Sequence, residues 1–371
     1  MLISKLALSP LTSIRFLAAL RVALYHVLPW VDRGFWWSGL LFTPISVSYF
    51  FVSSGFLLAY NYSERADQRQ MDSTRFLLGR VARLLPVYFM GLLVALPLIL
   101  THSDFSLGKA TLTLLLLQAW SPSSALYWNP PAWALSNLAF FYVSLPVLLK
   151  LTRSTSKRTC MLVAGLAWAI SVGLALAYMH ANPDGLHQIN NHSHGFWLSI
   201  LKYNPLTRLP EFIIGVMAGR LFLLTGGFRR PRSTAVFLCS SLVILLALLF
   251  GVHIPYPVIN SGLLTPVLAL VISSLASGGL VADFFKLRWF VLLGQSSYCL
   301  YMLHAPLWNL AYRRSAPYWN LALLLAIVLL SLLLYKWVEM PATVALRSFF
   351  LPAPAPVALG TDRGASSPDP S

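Results

Sequence analysis

The chain has 371 residues, of which 57% are hydrophobic and 10% charged, where an ordinary soluble domain carries about 25% charged residues. With a mean hydropathy of +0.70 this excludes a cytosolic globule. The net charge of +16 comes from 27 Lys and Arg against 11 Asp and Glu. These cations are spread between long apolar runs instead of gathering on one hydrophilic domain, which excludes nucleic acid as the reason for the charge. The expected class is an all-α, polytopic integral membrane protein. Cys160, Cys239 and Cys299 lie inside apolar runs, the place of small core residues, so neither a disulfide framework nor a thiolate metal site is expected.

About 20 apolar residues cross a hydrocarbon core. In chain order the candidate spans are residues 11–30, 42–61, 84–101, 132–150, 160–179, 209–225, 234–252, 260–281, 289–312 and 318–338. The run 110–119 is too short to span and is expected to be a re-entrant or interfacial helix. Arg15 and Arg21 interrupt the first span and no small-residue cleavage site follows, so it is expected to stay as a helix and not to act as a cleaved signal. With the N-terminus inside, the inner segments hold 19 Lys and Arg and the outer ones 6, which favours both termini cytoplasmic and agrees with ten crossings. Arg313 and Arg314 run against that bias. The expected organisation is a transmembrane domain over 1–347 and a disordered Pro/Ala/Ser-rich cytoplasmic tail over 348–371.

Ionisable groups at membrane depth are costly and mark function or a polar cavity. Arg15 and His26 are eleven residues apart, about three turns plus 20°, so they share one face of the first helix about 16 Å apart. Arg15 either snorkels to lipid phosphate or binds an anion; His26 is either a packing residue or a proton-transfer group. Glu211 is the one acid inside a candidate span. It either pairs with Arg208, three residues away, or orients a histidine or an acceptor hydroxyl at the same depth. His304 falls in the outer half of its helix. Arg80 and Arg83, three apart before the third span, suit either a multivalent phosphate or anionic lipid headgroups. Phosphate-compatible arginines thus fall at one end and proton-transfer groups at the other.

Six segments carry a family resemblance: Arg15 to His26 with its ten-residue gap; Phe50-Phe51-Val52-Ser53-Ser54-Gly55-Phe56; Arg80 to Tyr88; Pro210-Glu211-Phe212 to Gly215; Gly294 to His304; and Val338-Glu339-Met340-Pro341. In this order, over residues 11–347, the sequence resembles the membrane-bound acyltransferase-3 family, whose members O-acetylate lipopolysaccharide O-antigen, other cell-envelope glycans and macrolides. One departure stands out. Trp133 to Tyr142 resembles the family's Trp-Ser-Leu-Ser-x-Glu element, but Leu138 occupies the glutamate position, so that carboxylate's role is absent here or passes to Glu211 or Asn137. The appended esterase-like domain of some members is also not expected.

The resemblance implies an O-acyltransferase of the bacterial inner membrane that uses acetyl-CoA as cosubstrate, with no permanently bound cofactor, and a carbohydrate or other hydroxyl acceptor. It implies that Arg15, Arg80 and Arg83 bind the donor's phosphates. His26, beside Tyr25, is then the general base or the acyl carrier, with Glu211 as a second catalytic residue and His304 and Asn137 as secondary ones. Ser53, Ser54 and Gly55 either line the thioester path or only pack helices. The outer segment 186–194 holds three histidines, but its Asn and Ser suit a solvated loop better than a metal site. Trp36, Trp37, Trp120, Trp128 and Trp133 are candidates for sugar stacking or for an interfacial belt. The competing class is a secondary transporter or flippase for a lipid-linked glycan, which the lack of an inverted repeat disfavours.

Overall fold

The computed structural model describes residues 8–27, 43–101, 105–250, 253–312 and 317–351. Among them every regular element is helical: α1 (Ser9–Val27), α2 (Pro44–Asp67), α3 (Ser73–Thr101), α4 (Leu107–Leu114), α5 (Trp133–Leu151), α6 (Lys157–Ala181), α7 (Phe196–Tyr203), α8 (Pro205–Thr225), α9 (Arg230–Leu249), α10 (Tyr256–Asn260), α11 (Thr265–Ala276), α12 (Leu280–Phe285), α13 (Arg288–Ala311), α14 (Pro317–Leu334) and α15 (Met340–Phe350). Six of these helical stretches are long and apolar enough to cross a membrane: Ser73–Thr101, Pro130–Leu151, Lys157–Ala181, Arg230–Leu249, Tyr256–Ala276 and Tyr318–Phe350. The long helices α1, α2, α8 and α13 are not in that set. Three of them carry ionisable groups singled out above: Arg15 and His26 on α1, Arg208 and Glu211 on α8, and His304 on α13, where Arg208, Glu211 and His304 are buried within the protein.

Two pairs of helices form the centre, and each is held by glycine. On α8, Gly215 and Gly219 are four residues apart and lie against the backbone of Val52 and Phe56 on α2; a Cβ on either glycine would collide with those carbonyl oxygens. Helices approach this closely only across small residues. Gly55 faces back into the same contact, against Phe212 and Val216. In the second pair Gly294 of α13 rests on the backbone of Thr12 and Ser13 of α1. A buried aromatic layer joins the pairs to α5: Phe141 stacks on Phe212 at 4.9 Å and meets Phe51 edge-on at 5.2 Å.

The structure revises several boundaries. The run 110–119 resolves into the eight-residue α4 and a short 3-10 turn at Gln118–Trp120. The candidate span 260–281 is broken after Asn260, where the chain turns through Gly262 (φ +78°) and restarts at Thr265. The break frees carbonyls that other helices then satisfy, as non-helical backbone inside a bundle requires. Arg208 Nη1 donates to Asn260 O, Ser171 Oγ to Ser261 O at 2.6 Å and Trp168 Nε1 to Leu263 O at 3.0 Å. The last span continues past 338, through a π turn at Tyr335–Glu339 into α15. It thereby brings in a second buried acid, Glu339, which is 5% exposed and accepts from Cys299 Sγ at 3.2 Å. The expected tail lies outside the described residues from 352 onward, as do Trp36, Trp37, Arg313 and Arg314.

Three cations counted as loop charge are buried in the fold. Arg220 is 5% exposed; its guanidinium pairs with Asp67 at 2.8 Å and donates to Thr152 O, tying the ends of α2, α5 and α8 together. Arg208 and Lys202 are 1% and 3% exposed. Charge counting by segment cannot distinguish such pins from solvated loop residues.

Candidate functional site

At one end of α1 a cavity of about 1110 Å³ opens between α1, α2, α3, α5 and α13. Arg15, Arg80 and Arg83 all line it, from helices far apart in sequence. Arg80 is held by the aromatic floor: Nη2 donates to Tyr62 OH at 3.3 Å, and the guanidinium lies 5.5 Å from the Phe76 ring centroid. The Nε atoms of Arg15 and Arg80 have no hydrogen-bond partner in the structure. Guanidinium groups converging on an open cavity are suited to a multiply charged anion. Asn61, Glu64, Arg65 and Gln68 add polar groups to the wall.

Away from the arginines the wall turns aromatic and apolar, with Phe50, Phe51, Ala134, Leu135, Leu138 and Tyr301. Leu138 therefore places an alkyl group in the cavity where the resemblance leads one to expect a carboxylate. Ser54 lines the cavity, whereas Ser53 bonds back to Phe50 O at 3.2 Å. Gly55 lies in the α2–α8 contact, so of the three residues read as a path, one is on it and one is helix packing.

Tyr301 and Phe50, both lining the cavity, meet edge-on at 5.5 Å. Beyond Tyr301 are the two histidines. His304 lies 5.9 Å from Tyr301 and 5.2 Å from His26, ring centroid to centroid. His304 is fully buried and His26 is exposed. His26 is not itself among the residues lining the arginine-rich cavity.

The turn that carries His304 is fixed by a local exchange of partners. Pro306 has no N–H, so the carbonyl four residues back, Met302 O, lacks its helical donor. Asn129 Nδ2 supplies one at 3.0 Å. Gly91 makes room for that amide, since a Cβ there would come within 3.0 Å of it.

Further out, the loop between α6 and α7 folds over the end of α1. Tyr25 OH is 2.8 Å from His192 Nε2 and accepts from Asn191 Nδ2 at 2.8 Å. Tyr256 OH donates to Asn191 Oδ1 at 3.0 Å. Lys202 Nζ secures the loop from beneath through Asn191 O at 2.9 Å and Ser193 O at 3.3 Å. Burial pushes the Lys202 ammonium down to about 8. The segment expected to be merely solvated is thus partly anchored, and His192 stands next to the site.

Glu211 is carried by α8. It is fully buried and forms a 3.0 Å ion pair with Arg208. Arg208 also holds the broken helix through Asn260 and lies under the faces of Phe51 and Trp133. The ion pair expected between Glu211 and Arg208 is present in the structure. Trp133 and Trp128 are likewise engaged internally, the latter donating to Leu92 O at 2.9 Å. Asn137 is fully buried, and neither Oδ1 nor Nδ2 has a hydrogen-bond partner in the structure.

Residues 11–351 match a family described as an acyltransferase domain. The chain is similar to "Acyltransferase MdmB" of Streptomyces mycarofaciens, with 31% identity over 327 residues that cover 80% of this chain and 78% of that protein. No solved structure matches it. The chain belongs to the acyltransferase-3 family.

Proposed function

We propose that this acyltransferase moves an acyl group, acetyl in the simplest case, from acyl-CoA to a hydroxyl of a cell-envelope glycan or similar acceptor. It would do so as a ten-span protein of the bacterial inner membrane with both termini cytoplasmic. The single observation that carries this reading is the convergence of Arg15, Arg80 and Arg83 on one cavity whose far end, at Tyr301, adjoins His304 and His26. The cavity exceeds the roughly 300–1,000 Å³ usual for small-molecule sites, in keeping with a donor as long as CoA. Its arginines suit the nucleotide phosphates, and its apolar stretch suits the pantetheine arm and acyl group.

In this mechanism the acceptor hydroxyl approaches His26 from the opposite side. A ring nitrogen of His26 takes the hydroxyl proton as the oxygen attacks the thioester carbonyl. The tetrahedral adduct then collapses, the C–S bond breaks, and the proton passes from His26 to the departing CoA sulfur. The alternative, transient acylation of the His26 nitrogen, uses the same groups. Tyr301 must yield for the thioester to reach His26, which makes loading a conformational step.

The test is transfer of radiolabelled acetyl from acetyl-CoA to an envelope glycan fraction by the purified protein in detergent. Wild type is expected to transfer and His26→Ala to fail. Vectorial glycan movement with no CoA-dependent transfer would replace this reading with the transporter. Deletion of the chain is expected to remove acetyl units from surface glycan, read by mass.

A further inference from the structure

A histidine that must act as base or nucleophile needs its second nitrogen held, so that one tautomer and one ring orientation are kept. In many sites a carboxylate does this. Here the acid that the sequence places inside a candidate span, Glu211, is engaged by Arg208 at 3.0 Å. Tyr25 OH, the neighbouring hydroxyl, is occupied by Asn191 and His192.

We propose that His304 is the positioning residue for His26, so that the reacting centre is a His–His pair. This rests on the reading of His26 as the reacting group given above. The argument starts from the His304 ring. Its Nδ1 lies 2.8 Å from Tyr301 O and 3.3 Å from Leu300 O. Both neighbours are carbonyl oxygens, which only accept, so Nδ1 carries the proton, and in the neutral ring Nε2 is left as an acceptor. That Nε2 is buried and has no hydrogen-bond partner in the structure. A buried acceptor without a donor is destabilising, a penalty tolerated where a functional partner completes the bond.

The His26 ring stands against His304 with centroids 5.2 Å apart and planes tilted by 36°. With about 1.1 Å per ring from centroid to nitrogen, nitrogens turned to face each other along the line between centroids would stand about 3 Å apart, a hydrogen-bond distance. A turn of the His26 ring about Cβ–Cγ brings its N–H to His304 Nε2. The other nitrogen of His26 is then an unprotonated lone pair directed away from the buried side, toward the acceptor. When that nitrogen takes the acceptor's proton, the positive charge on His26 is shared through the N–H···N bond with His304 until the proton leaves with the CoA sulfur. The backbone exchange at Pro306, Met302 and Asn129 fixes the turn on which His304 depends.

The experiment compares two variants of similar volume, His304→Phe, which has no acceptor, and His304→Gln, whose amide oxygen restores one. Both are assayed as purified protein in detergent, with acetyl-CoA as donor and thermal unfolding as the check on folding. The expected result is a kcat for His304→Phe lower by roughly 10²-fold, at the low end of the usual acid–base contribution, with KM for acetyl-CoA unchanged. His304→Gln is expected to recover at least about tenfold of that loss. Two folded variants with equal kcat, or a folded His304→Phe with wild-type kcat, would overturn the pairing. If His26→Ala retains full transfer, the reading of His26 itself fails. If His26→Ala is inactive while His304→Phe is active, only the pairing fails.

Discussion

The two ends of α1 are built on opposite principles. At the arginine end, Arg15 of α1 and Arg80 and Arg83 of α3 line a cavity of about 1110 Å³, and Arg83 remains exposed. At the histidine end, rings lie within 5 to 6 Å of one another, and the carrier turn of His304 is pinned by Asn129. Long cations around open space tolerate small displacements of a charged ligand, because Coulomb attraction falls off slowly with distance. Proton transfer does not tolerate them, because hydrogen bonds weaken steeply with misalignment. On the proposed function, binding is thus placed where the fold is loose and chemistry where it is tight.

The sharpest way to break this comparison is His26→Ala, expected to lower kcat by roughly 10³-fold, within the range of general acid–base catalysis, while binding of acetyl-CoA measured by calorimetry stays within a factor of two or so. Loss of donor binding with kcat intact would reverse the assignment of the two ends. Next in size is Arg208→Met. It strands Glu211 as an uncompensated buried charge, so about 3–5 kcal/mol of stability should be lost in thermal or denaturant unfolding. The double variant Arg208→Met/Glu211→Leu should regain much of it, and full recovery of transfer in that variant would show Glu211 to be structural. Arg80→Ala and Arg83→Ala should each raise KM for acetyl-CoA by about tenfold with little change in kcat, the loss of one charge-assisted hydrogen bond. Added salt should shrink the difference from wild type; a salt-independent KM would remove the phosphate role. The smallest effect is expected from Tyr25→Phe, which frees Asn191 and His192 and should weaken use of the acceptor by about fivefold, near 1 kcal/mol, in acceptor KM.

Much of the helical layout was legible in the sequence because apolar runs of sufficient length have few alternatives. The shared face of Arg15 and His26, and the i, i+3 spacing of Arg80 and Arg83, follow from helical periodicity. Periodicity, however, says which residues share a face and not which helix lies against it. The contact of His26 with His304 was hidden for that reason, as was that of Tyr301 with Phe50. Glu211 could be read two ways because the carbonyl of Asn260, which Arg208 also holds, exists as a free acceptor only once the helix between Tyr256 and Ala276 breaks. One local signal was available. Pro306 two residues after His304 announces an orphan carbonyl at Met302, and a buried amide such as Asn129 was to be looked for.

The edge-on contact of Tyr301 with Phe50 has a consequence for the cell as well as for the reaction. A protein that receives one substrate from each side of a membrane is at risk of becoming a pore. Under the proposed two-sided transfer, aromatic rings in contact between the cavity and the histidines would let the acyl group be handed over while hindering water and ions, and so would spare the proton gradient across the bilayer at each turnover.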